Sequence, residues 1–258
     1  MNRMLNYALC LALLASCNNE KNTGNADKEH QEEMVKQEEK TNPEITTLDD
    51  RLNVRRTEFA QKASEEKKQI YKEGIEAVSL SGILDNALNV GEKAPDFTLQ
   101  NHLNEPVSLY SQLENGPVIL MWYRGGWCPY CNITLHYMQE RLPDFKAEGA
   151  SLLALTPELP DQSLNTSEKH NLDFTVLSDV GNKVGKEYGV VFKLTEDVAK
   201  IYQESFDIEH YNGDASYELP LAATYIIDQD GTIQYAFLDA DYRNRAEPDE
   251  ILEHLKKI

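Results

Sequence analysis

Cysteine is scarce in this chain. Only four cysteines occur in 258 residues, and two of them, Cys10 and Cys17, lie within the first seventeen. The remainder holds a single pair, Cys128 and Cys131. A structural zinc site usually takes four ligands. No second cysteine pair or nearby histidine pair accompanies these two, so we predict no metal site and no bound cofactor.

Positive charge is also in short supply. Lys and Arg together number 25 against 44 Asp and Glu, which gives a formal net charge of -19 at pH 7. Such a chain is poorly suited to nucleic acid or to an anionic lipid surface as its main partner. We therefore predict no nucleic-acid partner, and an acidic surface that keeps the protein soluble. Asp239 and Asp241 lack EF-hand spacing, which argues against a calcium loop.

The N-terminus lacks an apolar run long enough for a transmembrane helix, which needs about 20 residues. Arg3 precedes an almost wholly apolar stretch from Tyr7 to Ala15, as in an export signal. Leu14-Ala15-Ser16-Cys17 resembles the lipobox of bacterial lipoproteins, which implies lipidation of Cys17 and anchoring in the cell envelope. Asn18 is not acidic, which favours the outer membrane. An ordinary cleaved signal, or a cytosolic chain with an apolar start, is the alternative.

A polar segment and a helical segment follow. The polar segment is rich in Asn, Glu, Lys and Gln and predicts a flexible tether. From Leu48 to Val78 apolar residues recur at spacings near three, four and seven, which predicts one or two helices stopped by Ser81-Gly82. These helices either pack on the domain or form the seam of a homodimer. The predicted organisation is a signal peptide (1–16), a tether (17–47), a helical extension (48–88) and a folded domain (89–258).

Strand and helix patterns alternate through the folded domain, which predicts an α/β layer fold. Phe97 and Leu99 alternate with polar neighbours, and Val107 and Leu109 suggest the hairpin partner of that strand. The later strands are predicted at 118–123, 151–155, 174–177, 225–228 and 232–238, and the later helices at 132–146, 161–170, 182–188, 196–206 and 248–257.

The central feature is the junction between the strand 118–123 and the helix that follows it. Arg124-Gly125-Gly126-Trp127-Cys128-Pro129-Tyr130-Cys131 joins them. The glycine pair allows a tight turn, and Pro129 suits the first position of a helix. The pattern therefore places Cys128 at a helix N-terminus.

That position favours the thiolate of Cys128, because the free backbone N–H groups and the helix dipole stabilise negative charge. A thiol of pKa near 8.5 is about 3% ionised at pH 7, whereas a pKa near 6 makes it roughly 90% ionised. Ionisation alone thus supplies at most about a thirtyfold gain in rate. Cys131 lies one turn further along, within the roughly 4.4–6.8 Å Cα separation that a disulfide tolerates. We predict a redox-active pair; two structural cysteines are the alternative.

Several segments together identify the chain as resembling the peroxiredoxin-like branch of the alkyl hydroperoxide reductase C and thiol-specific antioxidant family. They are Gly91–Leu99, Arg124–Cys131, Asn212–Asp214, Thr224–Asp228 and Asp239–Pro248. The resemblance implies a thioredoxin-like fold, a central mixed sheet flanked by helices, and thiol-dependent reduction of hydroperoxides. It also implies Cys128 as the nucleophilic, peroxidatic cysteine, Cys131 as the resolving cysteine, a Cys128–Cys131 disulfide, and a thioredoxin-like reductant protein.

Three positions in two segments depart from the family pattern. Peroxiredoxins typically carry Pro-x-x-x-Thr-x-x-Cys, but Gly125 stands in place of the Thr and Met121 in place of the Pro. Ala222 stands where peroxiredoxins often have an Arg. We therefore predict that Arg124 or backbone N–H groups stabilise charge at the site. Arg243 and Arg245 are weaker candidates, and Trp127 is predicted to pack over the thiol.

Three functions are compatible with these residues. The favoured one is a peroxidase in which Cys128 attacks a hydroperoxide and Cys131 closes the disulfide. The second is a cell-envelope thiol–disulfide oxidoreductase that acts on protein disulfides. The third is a metal-delivery or binding module that uses both thiolates and a histidine. Of the nearby histidines, His136 is predicted to be solvated or part of the core.

Overall fold

A computed structural model describes residues 46–101 and 103–258. The predicted signal peptide, the lipidation site Cys17 and nearly all of the predicted tether lie outside these residues. The helices are α1 (Leu48–Lys62), α2 (Glu65–Leu80), α3 (Ile83–Asn86), α4 (Leu109–Leu113), α5 (Pro129–Ala147), α6 (Pro160–His170), α7 (Lys183–Glu187), α8 (Glu196–Phe206), α9 (Ile208–Asn212) and α10 (Pro248–Leu255). The strands are β1 (Thr98–Asn101), β2 (Pro106–Ser108), β3 (Val118–Trp122), β4 (Ser151–Thr156), β5 (Thr175–Ser178), β6 (Val191–Lys193), β7 (Glu218–Pro220), β8 (Thr224–Ile227) and β9 (Ile233–Phe237).

A seven-stranded sheet in the order β2-β1-β5-β4-β3-β8-β9 forms the centre of the fold. Strands β3, β4 and β5 are parallel neighbours, whereas the other pairings are antiparallel. Strands β6 and β7 pair separately as a small antiparallel sheet. The predicted α/β architecture with a central mixed sheet is confirmed.

Strand β3 is buried along its whole length, as its apolar run predicts for a strand covered on both faces. Alternate side chains enter two separate cores. Ile119 and Met121 join the core that contains α1, α5 and α10. Val118 and Leu120 join the core beneath α3 and α4. Burial on both faces therefore holds the end of β3, and the loop that leaves it, in a fixed position.

The first helix of the extension packs on its own domain. Thr47 and Asp50 form a capping box at its start, which satisfies two backbone donors. Leu48 and Leu52 are fully buried in the core shared with α5. The Glu247 carboxylate accepts hydrogen bonds of 3.2 and 2.6 Å from the first two amides of α1. These contacts favour packing within the chain over a dimer seam.

Some predicted elements differ from those observed. Leu109 was predicted to lie in a hairpin strand, but β2 ends at Ser108 and Leu109 begins α4. The reason is local, because the Ser108 hydroxyl accepts from the Ser111 amide and starts a helix there. The extension begins with two helices, the second of which ends at Leu80, immediately before the predicted stop. A short third helix, α3, follows that stop and was not predicted.

The sequence pattern did not reveal β6, β7 or α9, each of which has three to five residues. Elements of that length show too little periodicity to be recognised. Within the described part of the chain, no helix combines the length and the apolar character that crossing a bilayer requires.

Candidate active site

The loop between β3 and α5 carries the two cysteines. Cys128 is the N-cap residue of α5, with extended backbone angles, and Pro129 occupies the first turn. Gly125 has φ +150°, a conformation that side chains with a Cβ rarely adopt. The chain can therefore turn from the carboxyl end of β3 directly into α5, as the sequence predicts.

Gly126 is required in this loop because of a close approach to α6. A Cβ on Gly126 would lie 2.1 Å from the hydroxyl oxygen of Thr166. Its amide donates a 2.9 Å hydrogen bond to the carboxylate of Glu158, which follows β4. Thr166 of α6 and Glu158, just after β4, thus hold the loop in position.

Arg124 lies directly against the sulfur of Cys128. Its Nη2 is 3.1 Å from Cys128 Sγ, and its Nη1 donates to the Tyr202 hydroxyl at 2.9 Å. The guanidinium carbon lies 3.7 Å from the centre of the Tyr242 ring. Arg124 is 2% exposed. Since a guanidinium is always charged, a full positive charge is held beside the sulfur and away from bulk water.

This arrangement favours the thiolate of Cys128. Burial raises the pKa of Cys128, but a hydrogen bond from Cys131 and the charges of Arg124 and Arg245 outweigh it. The net effect holds the pKa of Cys128 well below its ordinary value. The helix N-terminus acts in the same direction.

Cys131 has a different environment. Its Sγ lies 3.5 Å from the Arg124 amide nitrogen and 3.6 Å from Arg245 Nη2. Burial and the neighbouring Cys128 raise the pKa of Cys131 well above its ordinary value, although Arg245 and Arg124 oppose this. Both cysteines are free thiols here, so the structure represents the reduced form. One thiol is poised as the anion and the other as its hydrogen-bond donor.

An aromatic cover closes the site. Cys128 is 0% exposed and Cys131 1% exposed. A cavity of about 100 Å³ lies above Arg124. Its lining is mostly aromatic and comes partly from the helical extension: Arg55, Phe59, Lys67, Tyr71, Arg124, Trp127, Pro129, Tyr130, Tyr202, Phe206 and Tyr242. A substrate in this cavity would meet Arg124, and the cover must shift for it to reach the sulfur.

The other residues singled out in the sequence lie around this centre. Trp127 stacks on Phe206 with a 5.2 Å centroid separation, in agreement with its predicted packing role. Arg243 is held by the Asp241 carboxylate at 2.6 Å, whereas Arg245 reaches a sulfur. His136 lies on the surface of α5 and pairs with a nearby carboxylate. Ala222 is buried and offers no charge, and Arg124 supplies one at the site instead.

Sequence reasoning missed Glu158. This carboxylate is 0% exposed and contacts Gly126 and the Thr156 hydroxyl, with the Tyr123 side chain also nearby. The sequence shows only that Glu158 follows an apolar strand; the parallel pairing of β3 and β4 brings the carboxyl ends of these strands together at one edge. Because of this pairing, Glu158, just after β4, lies beside the loop that leaves β3.

Glu158 predicts a pH-dependent stability. Burial raises the pKa of Glu158 to about 7, above its ordinary value of 4.5, although Gly126, Tyr123 and Thr156 oppose the shift. A raised carboxyl pKa means that the native state binds a proton more tightly than the unfolded chain does. The associated stability is complete below pH 4.5 and is lost as the pH rises through about 7. Its size is on the order of 3 kcal/mol, at about 1.36 kcal/mol per pKa unit.

The test is thermal unfolding of Glu158→Gln between pH 5 and pH 8. Gln keeps an acceptor for the Gly126 amide but cannot ionise. We expect the wild type to lose roughly 5–10 °C more than Glu158→Gln over this interval. Glu253→Gln, an exposed carboxylate on α10, is the control for removal of one negative charge. Equal pH slopes in wild type and Glu158→Gln would contradict the assignment.

The sequence was compared with protein-family models and with known proteins. The AhpC/TSA family model matches residues 90–236. Chloroplastic peroxiredoxin Q of Arabidopsis thaliana is 30% identical over 190 residues, which cover 72% of this chain and 76% of the relative. Peroxiredoxin Bcp of Escherichia coli K12 is 26% identical over 172 residues, which cover 67% of this chain and 98% of the relative.

Among solved structures, the peroxidoxin BcpB of Mycobacterium tuberculosis superposes with a TM-score of 0.52 at 20% identity. The match covers 66% of this chain and 98% of that one. The predicted thioredoxin-like fold is therefore confirmed. With the family model matched over more than half of its length, the chain belongs to the AhpC/TSA family of peroxiredoxins.

Proposed function

We propose that this protein is a thiol-dependent peroxidase in which Cys128 is the peroxidatic residue and Cys131 the resolving residue. The Cys128 thiolate attacks the terminal peroxide oxygen, the O–O bond breaks, and the departing alkoxide or hydroxide takes a proton. Cys128 is then a sulfenic acid. Cys131 condenses with it, water leaves, and a disulfide forms. A thioredoxin-like protein restores both thiols.

The contact between Arg124 and Cys128 carries this proposal. A guanidinium 3.1 Å from the sulfur favours the nucleophilic thiolate. The same group forms part of the cavity wall, where it can meet the oxygen that gains negative charge as the peroxide bond breaks. In this chain Arg124 thus takes over work that Thr performs in the usual family motif.

Membership of the AhpC/TSA family supports thiol-dependent peroxide reduction with a thioredoxin-type reductant. The burial of Cys128 favours a small oxidant over a protein disulfide as the substrate of the reduced form. Two arginines close to the sulfurs oppose the binding of a metal cation. These observations rank the peroxidase above the disulfide oxidoreductase and the metal-delivery module.

We propose further that the protein is exported and held at the cell envelope by a lipid on Cys17. This rests on the sequence alone, through the apolar start and the segment Leu14-Ala15-Ser16-Cys17. The membrane partner is then the anchor's lipid bilayer, and the folded domain needs no affinity for it. The predicted tether of residues 17–47 would let the domain stand away from the membrane.

Replacement of the resolving cysteine tests the mechanism. In Cys131→Ser, peroxide should still oxidise Cys128 to the sulfenic acid, but no disulfide should follow. Excess peroxide should then oxidise the sulfenic acid further to the sulfinic acid. The wild type should form the disulfide instead. Mass spectrometry of the peroxide-treated, signal-free protein distinguishes these products. Cys128→Ser is the control and should consume no peroxide.

Two results would count against the proposal. One is an absence of oxidised adduct on Cys128 in Cys131→Ser. The other is rapid reduction of a protein disulfide by the wild type with slow peroxide turnover, measured side by side by stopped flow. The second result would favour the oxidoreductase.

A further inference from the structure

A second arginine, Arg245, lies against the second sulfur. Its Nη2 is 3.6 Å from Cys131 Sγ, and the residue is 8% exposed. Its Nη1 donates to the carbonyl oxygens of Tyr242 and Asn244. In the described part of the chain, no carboxylate forms an ion pair with it. Its positive charge is therefore directed at the site without neutralisation by an acid.

A positive charge beside Cys131 can assist the step in which the disulfide forms. Cys131 must become a thiolate before it can attack the oxidised sulfur. In the reduced protein it stays protonated, because burial and the neighbouring anionic Cys128 raise the pKa of Cys131. Once Cys128 is a sulfenic acid, that neighbouring negative charge is gone. Two arginines then face a single remaining ionisable thiol.

We propose that Arg245 is a catalytic residue of the resolving step, in which its guanidinium stabilises the Cys131 thiolate as that sulfur attacks the sulfenic acid of Cys128. This role rests on the peroxidase function proposed above. Cys131 loses its proton and the S–S bond forms. The S–O bond of Cys128 breaks, and the departing hydroxide takes up a proton to give water. Cys131 is oxidised and the sulfenic sulfur is reduced, so no further oxidant or reductant is needed.

The two arginines thereby divide the cycle between them. Arg124 donates from its side chain to Cys128 and only from its backbone to Cys131. Arg245 donates from its side chain to Cys131. Removal of Arg245 should therefore slow the second step much more than the first, because Arg124 still donates to the Cys128 sulfur.

The experiment follows both steps in Arg245→Met by rapid mixing with hydrogen peroxide and timed quenching. Mass spectrometry then counts sulfenic acid, disulfide and sulfinic acid. We expect disulfide formation to slow by about a hundredfold, the lower end of the loss for one preorganised donor, because the contact is as long as 3.6 Å. Oxidation of Cys128 should slow by no more than about tenfold, because Arg124 remains beside its sulfur. Sulfinic acid should appear at a correspondingly lower peroxide concentration. Arg243→Met is the matched control, because its guanidinium is held by Asp241, and it should resemble wild type.

Arg245 also holds two carbonyls of its loop, so a readout independent of packing is needed. The pH profile of disulfide formation supplies it. The midpoint should move to higher pH in Arg245→Met and return towards wild type in Arg245→Lys, which keeps the charge. A slower step with an unchanged midpoint would assign Arg245 a structural role and overturn the proposal.

The remaining outcomes separate this role from the proposed function. Normal oxidation of Cys128 with an unchanged disulfide step in Arg245→Met would overturn the role of Arg245 alone. A wild-type protein in which peroxide leaves Cys128 unoxidised would overturn the peroxidase function and this role with it.

Discussion

Arg124→Met should reduce kcat/KM for hydrogen peroxide by about 10²–10³. The expected size is that of removing one preorganised donor from a reacting centre. Two effects combine in this loss. The pKa of Cys128 rises when the charge 3.1 Å from its sulfur disappears, so less thiolate is present at pH 7. The developing negative charge on the departing oxygen also loses its counter-charge.

Arg124→Lys separates these two effects. Lys supplies a point charge but lacks the planar fork that spans Cys128 and the Tyr202 hydroxyl. We expect it to restore much of the thiolate population and only part of the rate. Stopped-flow peroxide consumption and a thiolate titration measure the two quantities on the same samples. Activity in Arg124→Met within about threefold of wild type would remove Arg124 from the mechanism.

Tyr71→Ala should make Cys128 react faster with bulky thiol reagents. Tyr71 lies on α2 and forms part of the wall of the cavity that Arg124 also lines. The centre of its ring is 5.4 Å from that of Phe59 and 5.9 Å from that of Tyr202. Truncating a buried aromatic side chain costs about 3–5 kcal/mol of contact and cavity energy. If half of this energy stabilises only the conformation in which the aromatic side chains cover Cys128, its loss favours the open conformation. The population of the open conformation then rises by about tenfold or more, at 1.4 kcal/mol per factor of ten.

The measurement is the rate of Cys128 modification by a small and by a large maleimide. In Tyr71→Ala we expect the large reagent to gain at least about tenfold, with a smaller gain for the small one. Tyr71→Phe keeps the ring and is the matched control. Equal effects on both reagents, or none, would show that access to the sulfur does not pass beneath α2.

The same cover has a consequence for the second half of the cycle. A peroxide adds only two oxygens and a small group to the site, whereas a reductant protein must bring its own thiol to the disulfide. Cys128 and Cys131 lie beneath side chains from α2, α8 and the loop before α10. Reduction therefore requires a wider opening than oxidation.

Local patterns predicted much of the fold. The helix at Glu196–Phe206 was predicted with its observed bounds, because its apolar positions repeat with helical spacing. The strand that ends at Trp122 and the helix that starts at Pro129 were predicted from an apolar run, a glycine pair and a proline. These signals lie within a few residues of the feature they specify. Cys128 could therefore be placed at a helix N-terminus from sequence alone.

The surroundings of the thiols could not be predicted in the same way. Tyr71 and Tyr202 meet over Arg124 although they are far apart in the chain, and no local periodicity encodes that meeting. Glu158 reaches Gly126 only because β3 and β4 are parallel neighbours. Arg243 and Arg245 were equal candidates by sequence, and only the loop geometry turns Arg245 towards a sulfur. Each of these contacts depends on the tertiary fold.

The most direct test of the account is a thiolate titration, followed by ultraviolet absorbance, of the reduced protein and of Cys128→Ser. The difference between the two reports the charge on Cys128 whether or not reagents can reach it. We expect a full thiolate signal at pH 7 that disappears only well below the ordinary thiol pKa of about 8.5. A difference signal that develops only at about pH 8.5 or above would contradict it.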